Sequence, residues 1–163
     1  MLTNNYSIPN YSDGMTGSCT LKDDRWAVAR AYELYRCVFR QGVVRRFFLR
    51  LLGRPTEMRE FHPKGHEERL AGHHLGNMTV PLKKIQGSEG RSTDFDRFFN
   101  PIHENSLQRW ANVAAVQIMG QSLPAVELLQ VDGIYYVRDG HHRISVARAM
   151  GQAYIDATVT AFR

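Results

Sequence analysis

Cysteine is scarce in this chain of 163 residues: Cys19 and Cys37 are its whole supply, and neither stands in a CxxC pair. Two such residues cannot build a disulfide scaffold, so a reducing compartment is expected and redox chemistry is not indicated. The chain also lacks any run of ~18 apolar residues, so no segment is expected to span a membrane and no membrane partner is expected. Its opening, MLTNNYSIPNYSDG, has neither the basic nor the apolar region of a signal peptide, which makes a cytoplasmic protein the expectation. Glycine and proline are limited to 13 and 6 positions and charged residues to 23%, which excludes collagen-like and low-complexity chains. Hydrophobic types make up 43% of the sequence, enough to fill one ordinary core.

Positive charge is concentrated in one place. Net charge is +5, yet residues 22–59 alone hold ten basic side chains against four acidic ones, so the remainder sums to −1. An arginine excess this local attracts phosphate backbones or acidic surfaces. Arg36, Arg40, Arg45, Arg46 and Arg50 are the candidate nucleic-acid contacts, and a solvated helix face is the alternative. Residues 1–19 show no periodicity and read as a flexible arm. Thr20 followed by Asp23 resembles a helix start. Val28, Tyr32, Tyr35, Phe39, Val43 and Phe47 then recur at helical spacing, giving one apolar stripe that Gly42 interrupts and Gly53-Arg54-Pro55 ends. Residues 54–78 read as a connector with one short helix near Glu67–Ala71. His62, His66, His73 and His74 cluster there, but their spacing fits no closed zinc site, so an exposed loop is expected.

From residue 78 the pattern changes. Met78–Ile85 alternates like a strand, a turn-rich loop follows, and 106–119 reads as a helix with Leu107, Trp110, Val113, Ala114 and Ile118 on one side. LPAVELLQV and IYYVRD, joined by Asp132-Gly133, make a hairpin. A helix over 141–150 and a strand over 154–159 complete the order. The sequence thus divides into an arm (1–19), an arginine-rich helical segment with connector (20–77), and an α+β unit (78–163).

The sharpest motif is DGHHR, Asp139 to Arg143, where a strand gives way to a helix. A glycine there lets the chain turn tightly and a ligand approach closely. The helix start supplies amide donors and the positive end of its dipole. Arginine can fork onto phosphate oxygens, and histidine can donate a hydrogen bond or move a proton. The motif therefore suits an anion. It equally suits a plain cap, with Asp139 on the helix end and the histidines packed or solvated.

Over about Val80–Val159 the sequence resembles the ParB/sulfiredoxin superfamily. The likeness rests on the VPLKKI strand, a loop, a helix, the LPAVELL and YYVRD strands, a GxxR-type turn written GHHR, and a closing YIDATV strand. The resemblance implies an α+β fold, a mixed sheet with packed helices, preceded here by a helical N-terminal segment. It implies a bacterial-type protein whose turn, Gly140, His141, His142 and Arg143, binds nucleotide phosphates of ATP, ADP or CTP, with Mg²⁺ as a companion ion. Sulfiredoxins need a cysteine after the glycine where this chain has His141, so sulfinic-acid repair is not expected. Partitioning proteins of the superfamily are CTP-dependent switches that continue into a DNA-reading helix-turn-helix; this chain stops at Arg163 after its last strand. Free-serine kinases on the same fold carry a DGHHR turn. A kinase needs a base and a metal site. Glu89 and His141 are the catalytic candidates, Ser88 and Arg91 join the phosphate contacts, and Asp94 and Asp96 are the metal candidates. The readings that stand are a nucleotide-dependent switch or phosphotransferase, a DNA- or RNA-binding module, and an interaction protein that pairs with a partner or a second copy of itself.

Overall fold

The computed structural model describes residues 23–61, 72–90 and 93–162. Among these residues three α-helices and six strands run in the order α1 (Asp23–Leu51), β1 (Arg59–Glu60), β2 (His73–Pro81), β3 (Ile85–Ser88), α2 (Leu107–Ile118), β4 (Val126–Val131), β5 (Ile134–Asp139), α3 (His141–Ala149), β6 (Tyr154–Phe162). The strands form one mixed sheet in the order β1-β3-β5-β4-β6-β2. β4 is antiparallel to β5 and parallel to β6, while β3 runs parallel to β5 and β2 antiparallel to β6. This is the α+β architecture with a helical N-terminal segment that the sequence implies. The β4–β5 hairpin turns at Asp132 and Gly133, both at positive φ (50° and 76°), as a two-residue primed turn requires.

The interior has two parts. Val80, Ile85, Val126, Leu128, Val137, Ala157 and Val159 of the strands pack with Phe95 and Phe99 of the loop before α2 and with Ile144 and Ala147 of α3. The second cluster joins Ala27, Ala31, Tyr35 and Val38 of α1 to Trp110, Ala111 and Ala114 of α2 and Val146 of α3. Helix α3 thus lies between the sheet and the α1–α2 pair, with Trp110 Nε1 donating to Ser145 Oγ at 2.8 Å in the buried seam.

Several sequence expectations shift. The stripe of α1 holds in its middle, where Tyr35 is buried and Tyr32 and Phe39 pack beside it, and fails at its ends: Val28, Val43 and Phe47 are exposed, while Ala27, Ala31 and Val38 are buried. α1 packs on α2 around Trp110, with Tyr35 edge-on to that ring at 5.5 Å between centroids, and Ala27 and Ala31 let the two helices approach closely where larger side chains would hold them apart. Gly42 does not break the helix. A Cβ there would lie 2.9 Å from Asn100 Cβ, so it is a point of close approach to the loop before α2. The strand expected at 78–85 runs instead over His73–Pro81. A 3-10 turn over Leu82–Lys84 then leads into β3, so the sheet begins before position 78. The last strand extends to Phe162. Thr20, the short helix at 67–71, the arm, His62 and His66 lie outside the described residues. His73 and His74 are exposed on β2.

Candidate phosphate-binding cleft

Gly140 starts α3 at φ 100°, and a Cβ on it would meet Val126 Cγ1 at 2.5 Å. Both the dihedral and the packing therefore demand glycine. The turn then sends its three following side chains in different directions. His141 points inward. It is almost fully buried, its Nε2 lies 2.7 Å from Ser88 Oγ, and its ring stacks on Phe95 with centroids 6.0 Å apart. Arg143 turns back along the chain. Its Nη1 donates to the carbonyls of Pro124 (2.6 Å) and Ala125 (2.7 Å), and its Nη2 to Asp139. That fork ties the segment before β4 to the start of α3, so three of its five N–H donors serve the fold. His142 meets the edge of Phe95 (5.2 Å between centroids) and lines a cleft of about 510 Å³.

The opposite wall of that cleft is the start of α2. His103, Asn105 and Ser106 precede the helix, Gln108 and Arg109 occupy its first turn, and Asp94 closes one side. Helix α1 holds this wall in place. Tyr35 Oη donates to the His103 carbonyl at 3.0 Å and lies 3.2 Å from Ser106 Oγ, and Tyr32 Oη donates to Gln108 Oε1 at 2.9 Å. Burial pushes the Tyr35 phenol above its ordinary pKa, so it stays a donor at neutral pH. The first turns of α2 and α3 therefore face one space, with two imidazoles, a guanidinium and three amide side chains around it and one carboxylate at its edge. Helix amino ends carry partial positive charge, and these side chains add cationic and neutral donors to the same space.

Of the sequence candidates, His142 and Asp94 line this cleft, whereas Gly140, His141, Arg143 and Ser88 build its supporting turn. Glu89 is turned to Arg138, which donates from Nε at 2.7 Å and from Nη2 at 3.3 Å; this bond raises the Arg138 pKa and commits the carboxylate expected to be a base. Asp96 is separated from Asp94 in role. It is fully buried and accepts from Arg46 Nη1 (3.2 Å), the amides of Phe98 and Asn100 (2.9 Å each) and Asn100 Nδ2 (3.0 Å), which fills its oxygens with protein donors. Its loop carries Phe99 at φ 65°, a strained position that these bonds hold. Arg91 lies outside the described residues. On α1, Arg46 is taken by Asp96 and Arg45 lies over the Phe98 ring at 3.8 Å, while Arg36, Arg40 and Arg50 face solvent.

Sequence reasoning missed His103, Asn105, Ser106 and Arg109. Their signal was the polar stretch HENSLQR at a helix start, with an arginine inside the positive first turn where a cation is disfavoured unless an anion joins it. It also missed Arg148, whose Nη2 donates to the carbonyls of Leu82 (2.8 Å) and Ile85 (2.7 Å) and whose pKa burial lowers to about 10.

No family model and no curated protein matches the chain. Among solved structures it is similar to sulfiredoxin from Arabidopsis thaliana, at 22% identity, covering 51% of this chain and 82% of that one, with a TM-score of 0.36. At that level the likeness carries no argument about the cleft, whose chemistry rests on the residues that line it.

Proposed function

We propose that this chain binds a nucleotide, or a similar phosphorylated small molecule, in the cleft between α2 and α3, and acts as a nucleotide-dependent switch or a small phosphotransferase. The observation that carries this reading is the convergence of His142, His103, Arg109 and Asn105 at the amino ends of two helices. The phosphates would sit between those ends, with His142 and Arg109 donating to their oxygens. Asp94 is the one carboxylate on the cleft wall, which fits Mg²⁺ held by a single carboxylate together with phosphate oxygens and water. Asp96 has no part in that site. A proton acceptor for transfer to a hydroxyl would be His142, since Glu89 is ion-paired to Arg138 and His141 is buried against Ser88.

The test is thermal unfolding of the wild type, His142→Ala and Arg109→Ala with ATP, ADP or CTP, each with and without Mg²⁺. Both substitutions remove groups that face the cleft and leave the Arg143 fork intact. A nucleotide at a hundred times its Kd should stabilise the wild type by about 2.7 kcal/mol, and both variants should lose most of that gain. Asp94→Asn should lose only the part that depends on Mg²⁺. If no nucleotide stabilises the wild type, or the variants are stabilised equally, the reading is wrong.

A further inference from the structure

Helix α1 is apolar on two opposite sides. One side carries Ala27, Ala31, Tyr35 and Val38 and is buried against α2. The other, in its last two turns, carries Val44, Phe47, Phe48 and Leu51 at positions i, i+3, i+4 and i+7, a complete helical stripe that faces away from the protein. These four side chains are 54%, 64%, 56% and 74% exposed, and Leu52, just beyond the helix, is 68% exposed. Isolated exposed leucines are ordinary; a contiguous stripe of this kind marks a contact surface.

Charge decides what covers it. Between Glu33 and Glu57 there is no acidic residue, while Arg36, Arg40, Arg45, Arg46, Arg50 and Arg54 fall in that interval. At 100° per residue, Arg45 and Arg50 flank the stripe on either side, and Arg40 continues its line one turn earlier. A second copy of the chain would bring the same arginines against their equivalents. A nucleic acid would have to accept two phenylalanines and a leucine among its phosphate contacts. An apolar ridge bordered by cations matches a surface that is apolar inside and negative outside.

We propose that the exposed side of α1 docks this protein on an anionic phospholipid surface, with Phe47, Phe48 and Leu51 entering the acyl boundary and the solvent-facing Arg40 and Arg50 meeting the head groups. No helix among the described residues is long and apolar enough to cross a membrane. The contact is peripheral, and the body of the protein stays on the water side because the buried side of α1 is fixed to α2. The site is separate from the cleft and does not depend on it.

The experiment is co-sedimentation of the full chain with vesicles of phosphatidylcholine alone, and of phosphatidylcholine with about one quarter phosphatidylserine. The protein should pellet with the anionic vesicles and stay in solution with the neutral ones. Each of Arg40→Gln and Arg50→Gln should weaken binding about fivefold, and added salt should release the protein. Phe47→Ser with Phe48→Ser should lower binding at least tenfold while leaving the thermal unfolding midpoint in place, since both rings are more than half exposed. Failure to pellet with anionic vesicles overturns the proposal. So does equal binding to both lipids, or binding unaffected by the phenylalanine changes. A dimer seen by light scattering without lipid and dissolved by the same changes would assign the stripe to self-association instead, and tight binding to duplex DNA that depends on the arginines but not on Phe47 and Phe48 would assign the face to nucleic acid.

Discussion

Replacing Gly140 with alanine adds one methyl group at the start of α3, and its cost can be worked out in two parts. The residue sits at φ 100° and ψ 22°, where a side chain is strained by about 1–3 kcal/mol. The new Cβ also falls 2.5 Å from Val126 Cγ1 and 2.8 Å from Val126 Cβ, in a strand that is fully buried at that point, so overpacking adds about 1–3 kcal/mol. The sum is about 2–6 kcal/mol, a large share of the ~5–15 kcal/mol that holds a domain of this kind together. Urea unfolding followed by circular dichroism gives the difference directly. A double-mutant cycle with Val126→Ala separates the two parts. Removing the valine methyls relieves the 2.5 Å contact but leaves the one with Cβ and the dihedral strain, so the double variant should be more stable than the sum of the single effects by about 1 kcal/mol. A Gly140→Ala variant within about 0.5 kcal/mol of the wild type would refute the reasoning, and so would additive effects in the cycle.

Asp96→Ala should cost about 3–5 kcal/mol, because it leaves the Arg46 guanidinium and two loop amides without their acceptor in the interior; unfolding by urea checks this, and a loss below about 1 kcal/mol would contradict it. Arg143→Ala should lower stability by about 2–3 kcal/mol even without ligand, since the carbonyls of Pro124 and Ala125 lose their donor. Loss of nucleotide binding in that variant would therefore not by itself identify a phosphate contact. Arg148 gives a pH signature. Burial lowers its pKa to about 10, well below that of the unfolded chain. Above that pH the unfolded state holds more protons than the folded state, and the residue's contribution to stability rises with pH. Relative to Arg148→Met, the wild type should gain stability between about pH 9 and about pH 11 in urea titrations, and a constant difference would show that the guanidinium is not desolvated.

The hairpin, α2, α3 and the closing strand were legible because each is fixed by local signals: Asp132-Gly133 for the turn, period-3.6 spacing for the helices, glycines where they end. The face of α1 was legible only at Tyr32, Tyr35 and Phe39; at the ends of the stripe hydrophobicity ranks valine and phenylalanine above alanine, whereas close packing on α2 takes Ala27 and Ala31. Gly42 misled for the same reason, being a contact with Asn100 instead of a break. At the site, the glycine-led turn was visible in five residues, but the direction of each side chain was not. His141, His142 and Arg143 are consecutive on a helix and so point about 100° apart, and only the sheet on one side and α2 on the other decide which faces inward. Asp94 and Asp96 look equivalent in sequence. The arrival of Arg46 from α1, fifty residues away, makes Asp96 an internal anchor, while Asp94 stays on the cleft wall.

The central claim, that a phosphorylated ligand sits between the amino ends of α2 and α3, is tested most directly by following backbone amide resonances of the isotopically labelled chain as ATP and Mg²⁺ are added. Amides of residues 103–109 and 140–143 should shift together along one binding curve, with those of α1 beyond residue 40 unmoved. Shifts confined to other regions, or none at all, would contradict it.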